Sequence, residues 1–137
     1  MADLSKTLVV TRMDGPEDRT SEELENPTWQ DIETAIRRLN GNRCSLLILG
    51  IGDPVPHMGI GGGHEGKYIV YATPDHQIFH NLINPNAAPG KSFLVAGGQL
   101  GDYANRQCVD LTATLRAAKT YAESGQLDMS LIWEKQG

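Results

Sequence analysis

Three groups of residues in this chain have types and spacings that could do chemistry. The first is Gly59-Ile60-Gly61-Gly62-Gly63-His64-Glu65-Gly66-Lys67. Gly61, four residues, then Gly66 and Lys67 reproduce most of a phosphate loop, whose backbone N–H groups cradle phosphate while a lysine reaches it. Tyr68 stands where the magnesium-binding Ser or Thr belongs, and the run leads into a strand pattern rather than a helix N-terminus. A hairpin turn with left-handed glycines fits these residues better. The second group is His57, His64, His76 and His80, with Glu65 and Asp75 as oxygen donors. His76 and His80 are four apart but fall on a turn and a strand. No cysteine pair and no His-Glu-x-x-His helix supports zinc, so surface histidines are expected. The third is Cys108, placed just before a helix start whose dipole would favour a thiolate, with His80 as a base. No local signature surrounds it. The expectation is no catalytic residue and no metal site.

What remains is recognition. Gly97 to Asp110 reads Gly-Gly-Gln-Leu-Gly-Asp-Tyr-Ala-Asn-Arg-Gln-Cys-Val-Asp, a polar, glycine-punctuated loop between a strand and a helix. Loops of this length bind something or pack as structured surface. Asp102, Tyr103 and Arg106 are its candidate partner contacts, because large rings and arginine are enriched at binding hot spots. The plainer alternative packs Tyr103 onto the sheet and pairs Arg106 with a nearby carboxylate. Charge adds a second candidate. The net charge is -5, yet Met1–Glu33 holds nine acidic and three basic residues, so the acidic excess sits in the first quarter of the chain. Glu22, Glu23 and Glu25 are then either part of a solvated loop or an acidic rim for a basic partner, where complementarity would speed encounter. Direct nucleic-acid binding, which normally needs a basic face, is disfavoured.

The elements that must position these residues follow from periodicity. With 137 residues the chain suits one domain. Residues 1–26 contribute a strand, Thr7 to Arg12, and an acidic loop, Asp14 to Pro27; residues 27–137 carry the rest of the same domain. Thr28 caps a helix whose Trp29, Ile32, Ile36 and Leu39 form one apolar stripe, ending near Gly41. Strands are expected at Cys44–Ile51, His57–Ile60, Lys67–Ala72, Gln77–Ile83 and Ser92–Ala96. A second helix spans Leu111 to Ser124 behind the cap Asp110, and a final strand spans Leu127–Glu134. Short connections force antiparallel pairing. The predicted class is α+β, a mostly antiparallel sheet of about six strands with two helices packed on one face. Ser92–Ala96 or the terminal strand is a candidate free edge for a homodimer. Cys44 and Cys108 read as free thiols. No basic-then-apolar start and no long apolar run is present, so a soluble cytoplasmic protein without membrane contact is expected.

The Pro27–Asn40 helix with its Trp29 and the Gly62-Gly63 hairpin with Tyr68 and Val70 form the first half of a pattern. The Gly97-Gly98-Gln99-Leu100-Gly101-Asp102-Tyr103 segment, Ala117 and a terminal Leu-x-Trp strand with Trp133 complete it. Together these resemble the first family of bacterial immunity proteins encoded beside polymorphic toxins, over about Pro27 to Glu134. The resemblance implies a protein that binds and neutralises a cognate toxin domain, a nuclease or nucleic-acid deaminase, by covering or distorting its active site. It implies no cofactor and assigns no interface residue. The acidic balance agrees with a toxin whose substrate cleft is basic. A small-ligand-binding or regulatory domain, with a pocket near Gly97–Arg106, is the alternative.

Overall fold

Alternating apolar strands joined by short turns build an antiparallel sheet, and the helices cover the face where the larger apolar side chains gather. A computed structural model describes residues 7–13, 19–40, 44–51, 56–96 and 99–136, with side chains placed for 23–40, 46–51, 56–94 and 101–136. In chain order the elements are β1 (Thr7–Met13), β2 (Arg19–Glu25), α1 (Trp29–Arg37), β3 (Cys44–Gly50), β4 (His57–Gly62) and β5 (Tyr68–Thr73). They continue with β6 (Phe79–Ile83), β7 (Lys91–Ala96), β8 (Gln99–Ala104), α2 (Leu111–Ser124) and β9 (Ile132–Gln136). Seven strands form one sheet in the order β2-β1-β3-β4-β5-β6-β9, and β7 and β8 form a separate two-stranded ribbon. Every pairing among these strands is antiparallel. The fold is therefore α+β as expected, with the sheet longer than six strands and the ribbon added.

One face of the sheet presents Leu47, Leu49, Met58, Ile60, Val70 and Ala72, all buried. They join Ile32, Ile36 and Leu39 of the first helical segment and Ala117, Ala118, Tyr121 and Ala122 of α2 in a single core. Helix α1 begins with the anticipated capping box: Asp31 N–H donates to Thr28 Oγ1, and Thr28 N–H donates to Asp31 Oδ2. Helix α2 is capped by Asp110, which accepts from Ala113 N–H, and closes on Gly125 with φ +72°. Gly41 lies outside the described residues, and α1 closes on Arg38 in a right-handed conformation.

Three expectations are corrected. The segment Asp14–Pro27 is not all loop, because Arg19–Glu25 is β2, paired along its length with β1. An outermost strand satisfies one side of its backbone with its neighbour and leaves its side chains in water, so it needs no apolar pattern. Charges on such a strand also discourage edge-to-edge association. Within the Gly97–Asp110 segment, Gln99–Ala104 is not loop but β8, followed by a 3-10 turn at Asn105–Gln107. Gly97 and Gly98 lie outside the described residues, but pairing of Ala96 with Gln99 leaves only these two between the strands, a two-residue hairpin spacing. The last strand starts at Ile132, because Asp128 organises a turn first. Its carboxylate accepts from Ser130 N–H, Ser130 Oγ and Thr120 Oγ1, and its carbonyl accepts from Trp133 Nε1.

The glycine cluster has a packing reason. Gly63, at φ +106°, lies so close to the end of the first helix that a Cβ there would sit 2.4 Å from the Leu39 carbonyl oxygen. Gly62, at φ +91°, would place a Cβ 2.7 Å from the Lys67 carbonyl. The cluster ends β4, makes a 3-10 turn at His64–Gly66 and feeds β5. No helix follows to hold a phosphate.

Candidate partner-binding surface

Directly opposed residues of an antiparallel sheet point to the same face. Backbone pairing through β1 therefore places Glu23, Ile48, Gly59, Tyr71, Asn81 and Glu134 in one row across the sheet. This row lies on the face opposite the helices. Glu23 and Glu25 are exposed on β2, the outermost strand at one side, and Glu134 stands on β9, the outermost strand at the other. The side chain of Glu22 lies outside the described residues. In the middle of the row Tyr71 leans over Gly59, where a Cβ would fall 2.3 Å from its ring. The Tyr71 hydroxyl is 3.2 Å from His57 Nε2, and the ring meets His57 and Phe79 edge-on. Burial pushes the Tyr71 phenol up from its ordinary pKa.

The β7–β8 ribbon crosses this helix-free face. Leu94 is buried on its inner side, and Tyr103, opposite Ser92, also points inward. The Tyr103 ring lies back over Gly101, where a Cβ would come within 2.6 Å of it. That gives Gly-Asp-Tyr a physical reason: the glycine makes the seat and the tyrosine fills it. Hydrogen bonds fix the ribbon's base. Lys67 Nζ donates to Ser92 Oγ, Ser92 Oγ donates to Asn105 Oδ1, and Asn105 Nδ2 reaches the carbonyls of Ala88 and Pro89.

The chain leaving β8 is knitted into the main sheet. Strands β5 and β6 pair only at Tyr71–Asn81 and Ala72–His80, so they fork at the other end. Val109 enters that fork and exchanges both backbone hydrogen bonds with Tyr68, while Asn84 N–H donates to the Arg106 carbonyl. A cavity of about 380 Å³ sits beside the fork, lined by Ile69, Tyr71, Asn81, Tyr103, Gln107 and Gln136 among others. Asn81 Nδ2 donates to Gln136 Oε1 at its wall.

The ribbon's outer side is different. Phe93 and Asp102 oppose each other there, and Phe93 is 69% exposed. Lys91 Nζ lies 3.6 Å from Asp102 Oδ2, both side chains in solvent. Arg106 Nη2 makes a 2.6 Å ion pair with Glu134 Oε2, also exposed, which ties the ribbon's exit to the sheet edge. The structure thus brings Asp102, Tyr103 and Arg106 into one unit, with Asp102 and Arg106 at the surface and Tyr103 partly covered. Glu23 and Glu25 share the helix-free face but stand at its far border. Phe93 escaped sequence reasoning because Lys91–Ala96 shows no clear alternation; only the register with Asp102 reveals its outward position.

The chemical candidates separate. Cys108 is buried, with Sγ 3.6 Å from the Ala104 carbonyl, and burial raises its thiol pKa despite the nearby Lys67. The helix start therefore does not make it a thiolate. His80 instead lines a cavity with Thr73 and Tyr121, apart from the groove around Cys108, Lys67 and Ser92. Among the described residues no group of three or more His, Cys, Asp or Glu side chains is placed to hold a metal ion. No helix among them is long and apolar enough to cross a membrane. The side chain of Cys44 lies outside the described residues.

Comparison with known families gives a match over residues 20–135 to the family described as "Immunity protein Imm1". No curated protein matches the chain.

Proposed function

The chain belongs to the Imm1 family of immunity proteins, and from that premise we propose that its cognate toxin domain is a nuclease or a nucleic-acid deaminase, neutralised when this protein covers the active site. The observation that carries this choice is the distribution of acid on the helix-free face. Glu23 and Glu25 border it at one edge, and Asp102 stands on the ribbon that crosses it. An enzyme acting on nucleic acid presents a basic cleft, and carboxylates in this arrangement complement it as phosphates would. On this reading Glu23, Glu25, Asp102 and Arg106 contact the toxin while Tyr103 holds the ribbon in place and lends its ring edge. The protein acts in the cytoplasm of the cell that makes the toxin and needs no cofactor. The test is direct. The toxin domain encoded by the adjacent gene is purified and assayed on DNA and RNA with increasing amounts of this protein. Loss of nucleic-acid turnover supports the proposal, and a toxin that acts on another substrate class overturns it. A small-ligand role is the second reading, favoured by the cavity beneath Tyr103, whose size falls in the range of ligand sites. A small molecule that protects this protein against thermal unfolding, with no toxin bound, would support that reading instead.

A further inference from the structure

We propose that Phe93 and Asp102 together imitate a nucleotide, the ring standing for a base and the carboxylate for a phosphate, and that the ribbon's outer face enters the toxin's substrate cleft. This rests on the toxin being an enzyme of nucleic acid. Phe93 is the one aromatic residue among the exposed large hydrophobic side chains of the described chain. It is not exposed for want of a core. Its neighbour Leu94 is buried on the inner side of the same strand, so the register deliberately spends an outward position on a ring. Asp102 is its direct cross-strand partner, the closest lateral neighbour a sheet provides. The pair is held on a prepared platform. Leu94 anchors the ribbon from below, and the chain of hydrogen bonds from Lys67 through Ser92 and Asn105 fixes its base. A platform ordered before encounter loses little freedom on binding.

Enzymes that act on a base stack it between aromatic or apolar side chains and read its edge, while Lys and Arg hold the flanking phosphates. A ring beside a carboxylate offers one group to each half of such a site. Lys91 is the competing partner for Asp102, but at 3.6 Å and in solvent that contact is weak and is readily exchanged for a better-placed cation. The remaining exposed apolar side chains, Leu24, Met129 and Ile132, have no carboxylate as their direct cross-strand partner.

The experiment uses the full chain and the toxin domain encoded beside it. Affinity is measured for the wild type and for Phe93→Ala, Phe93→Trp and Asp102→Asn, with and without a saturating single-stranded oligonucleotide. The Phe93→Ala variant is expected to bind about 30-fold more weakly, the loss of a hot-spot side chain. Phe93→Trp is expected to stay within about threefold, because any flat ring satisfies a stacking site. Asp102→Asn should bind several-fold more weakly with a shallower salt dependence, and the oligonucleotide should compete with the wild type. Thermal midpoints should not move, since both side chains are in solvent. Wild-type inhibition with Phe93→Ala and Asp102→Asn both within about twofold overturns the inference and leaves the functional proposal standing. Dependence on Phe93 without oligonucleotide competition also overturns the mimicry. A toxin that does not act on nucleic acid overturns both.

Discussion

Replacing Tyr121 with Phe should stabilise this protein, against the usual direction of a core substitution. Tyr121 is 3% exposed on the face of α2 that packs against the sheet, and its hydroxyl has no hydrogen-bond partner among the described residues. A buried hydroxyl left unsatisfied costs about 1–3 kcal/mol. Phe keeps the ring and its contacts and removes one oxygen, so only a small void opposes the gain. A net stabilisation of about 1 kcal/mol follows, or about 4 °C in midpoint for a domain of this size. Alkaline pH supplies an independent check. Burial pushes the Tyr121 phenol up to about 12 from its ordinary value of 10.0. Between those two values the unfolded chain has released the proton and the folded chain has kept it. The contribution is therefore fully present below the unfolded value and is lost as pH rises through the folded one, at about 1.4 kcal/mol per pH unit. The Tyr121→Phe variant lacks that loss. Burial also raises Tyr68 and Tyr71, so both proteins weaken in alkali, and the gap between them should widen. Urea unfolding followed by circular dichroism at about pH 7 and about pH 10.5 measures both effects. A variant less stable than the wild type by about 1 kcal/mol at neutral pH would refute the reasoning. It would mean that the hydroxyl is satisfied, most simply by water from the adjoining cavity lined by His80 and Gln126.

The other predictions concern the scaffold and its charges. Gly63→Ala should destabilise the fold by about 3 kcal/mol or more, because a left-handed residue would gain a Cβ against the Leu39 carbonyl; a loss below about 1 kcal/mol in thermal unfolding would show that the end of α1 can shift. Glu134→Gln should change stability by less than about 1 kcal/mol, since its pair with Arg106 is exposed, and a larger loss in urea titration would contradict that. Hydrogen bonds from the Ser130 hydroxyl and N–H hold Asp128 below the ordinary carboxylate range. Its contribution is present above the unfolded pKa and is lost as pH falls through the folded one. Asp128→Ala should therefore be destabilising at neutral pH and converge with the wild type in strong acid, and a difference that persists at about pH 2 would rule out the carboxylate as the cause.

Where apolar periodicity met a capping residue, the sequence was enough. Thr28 with Asp31, and Asp110 with Gly125, delimit helices whose stripes face the core, because both signals are local. Strands with one buried face, such as Tyr68–Thr73, were legible for the same reason. What was not legible depends on neighbours distant in sequence. Arg19–Glu25 has the composition of a loop and becomes a strand because β1 offers it a backbone to pair with. Gln99–Ala104 is polar and glycine-bearing, and its strand character comes from β7 and from the seat Gly101 gives Tyr103. The Gly97-Gly98 spacing was a usable hairpin sign that the polar composition masked. Asp102 and Arg106 could be singled out by residue type. Phe93 could not, because its exposure is decided by which side of the ribbon lies on the sheet.

The proposed mode of action is tested most directly by titrating this protein into its cognate toxin domain while nucleic-acid turnover is followed. Occupation of the active site predicts that activity falls linearly to zero at about one equivalent, with an affinity of about nanomolar or tighter and an association rate that drops as salt is raised. A complex that forms while turnover of the bound toxin continues at its free rate would contradict it.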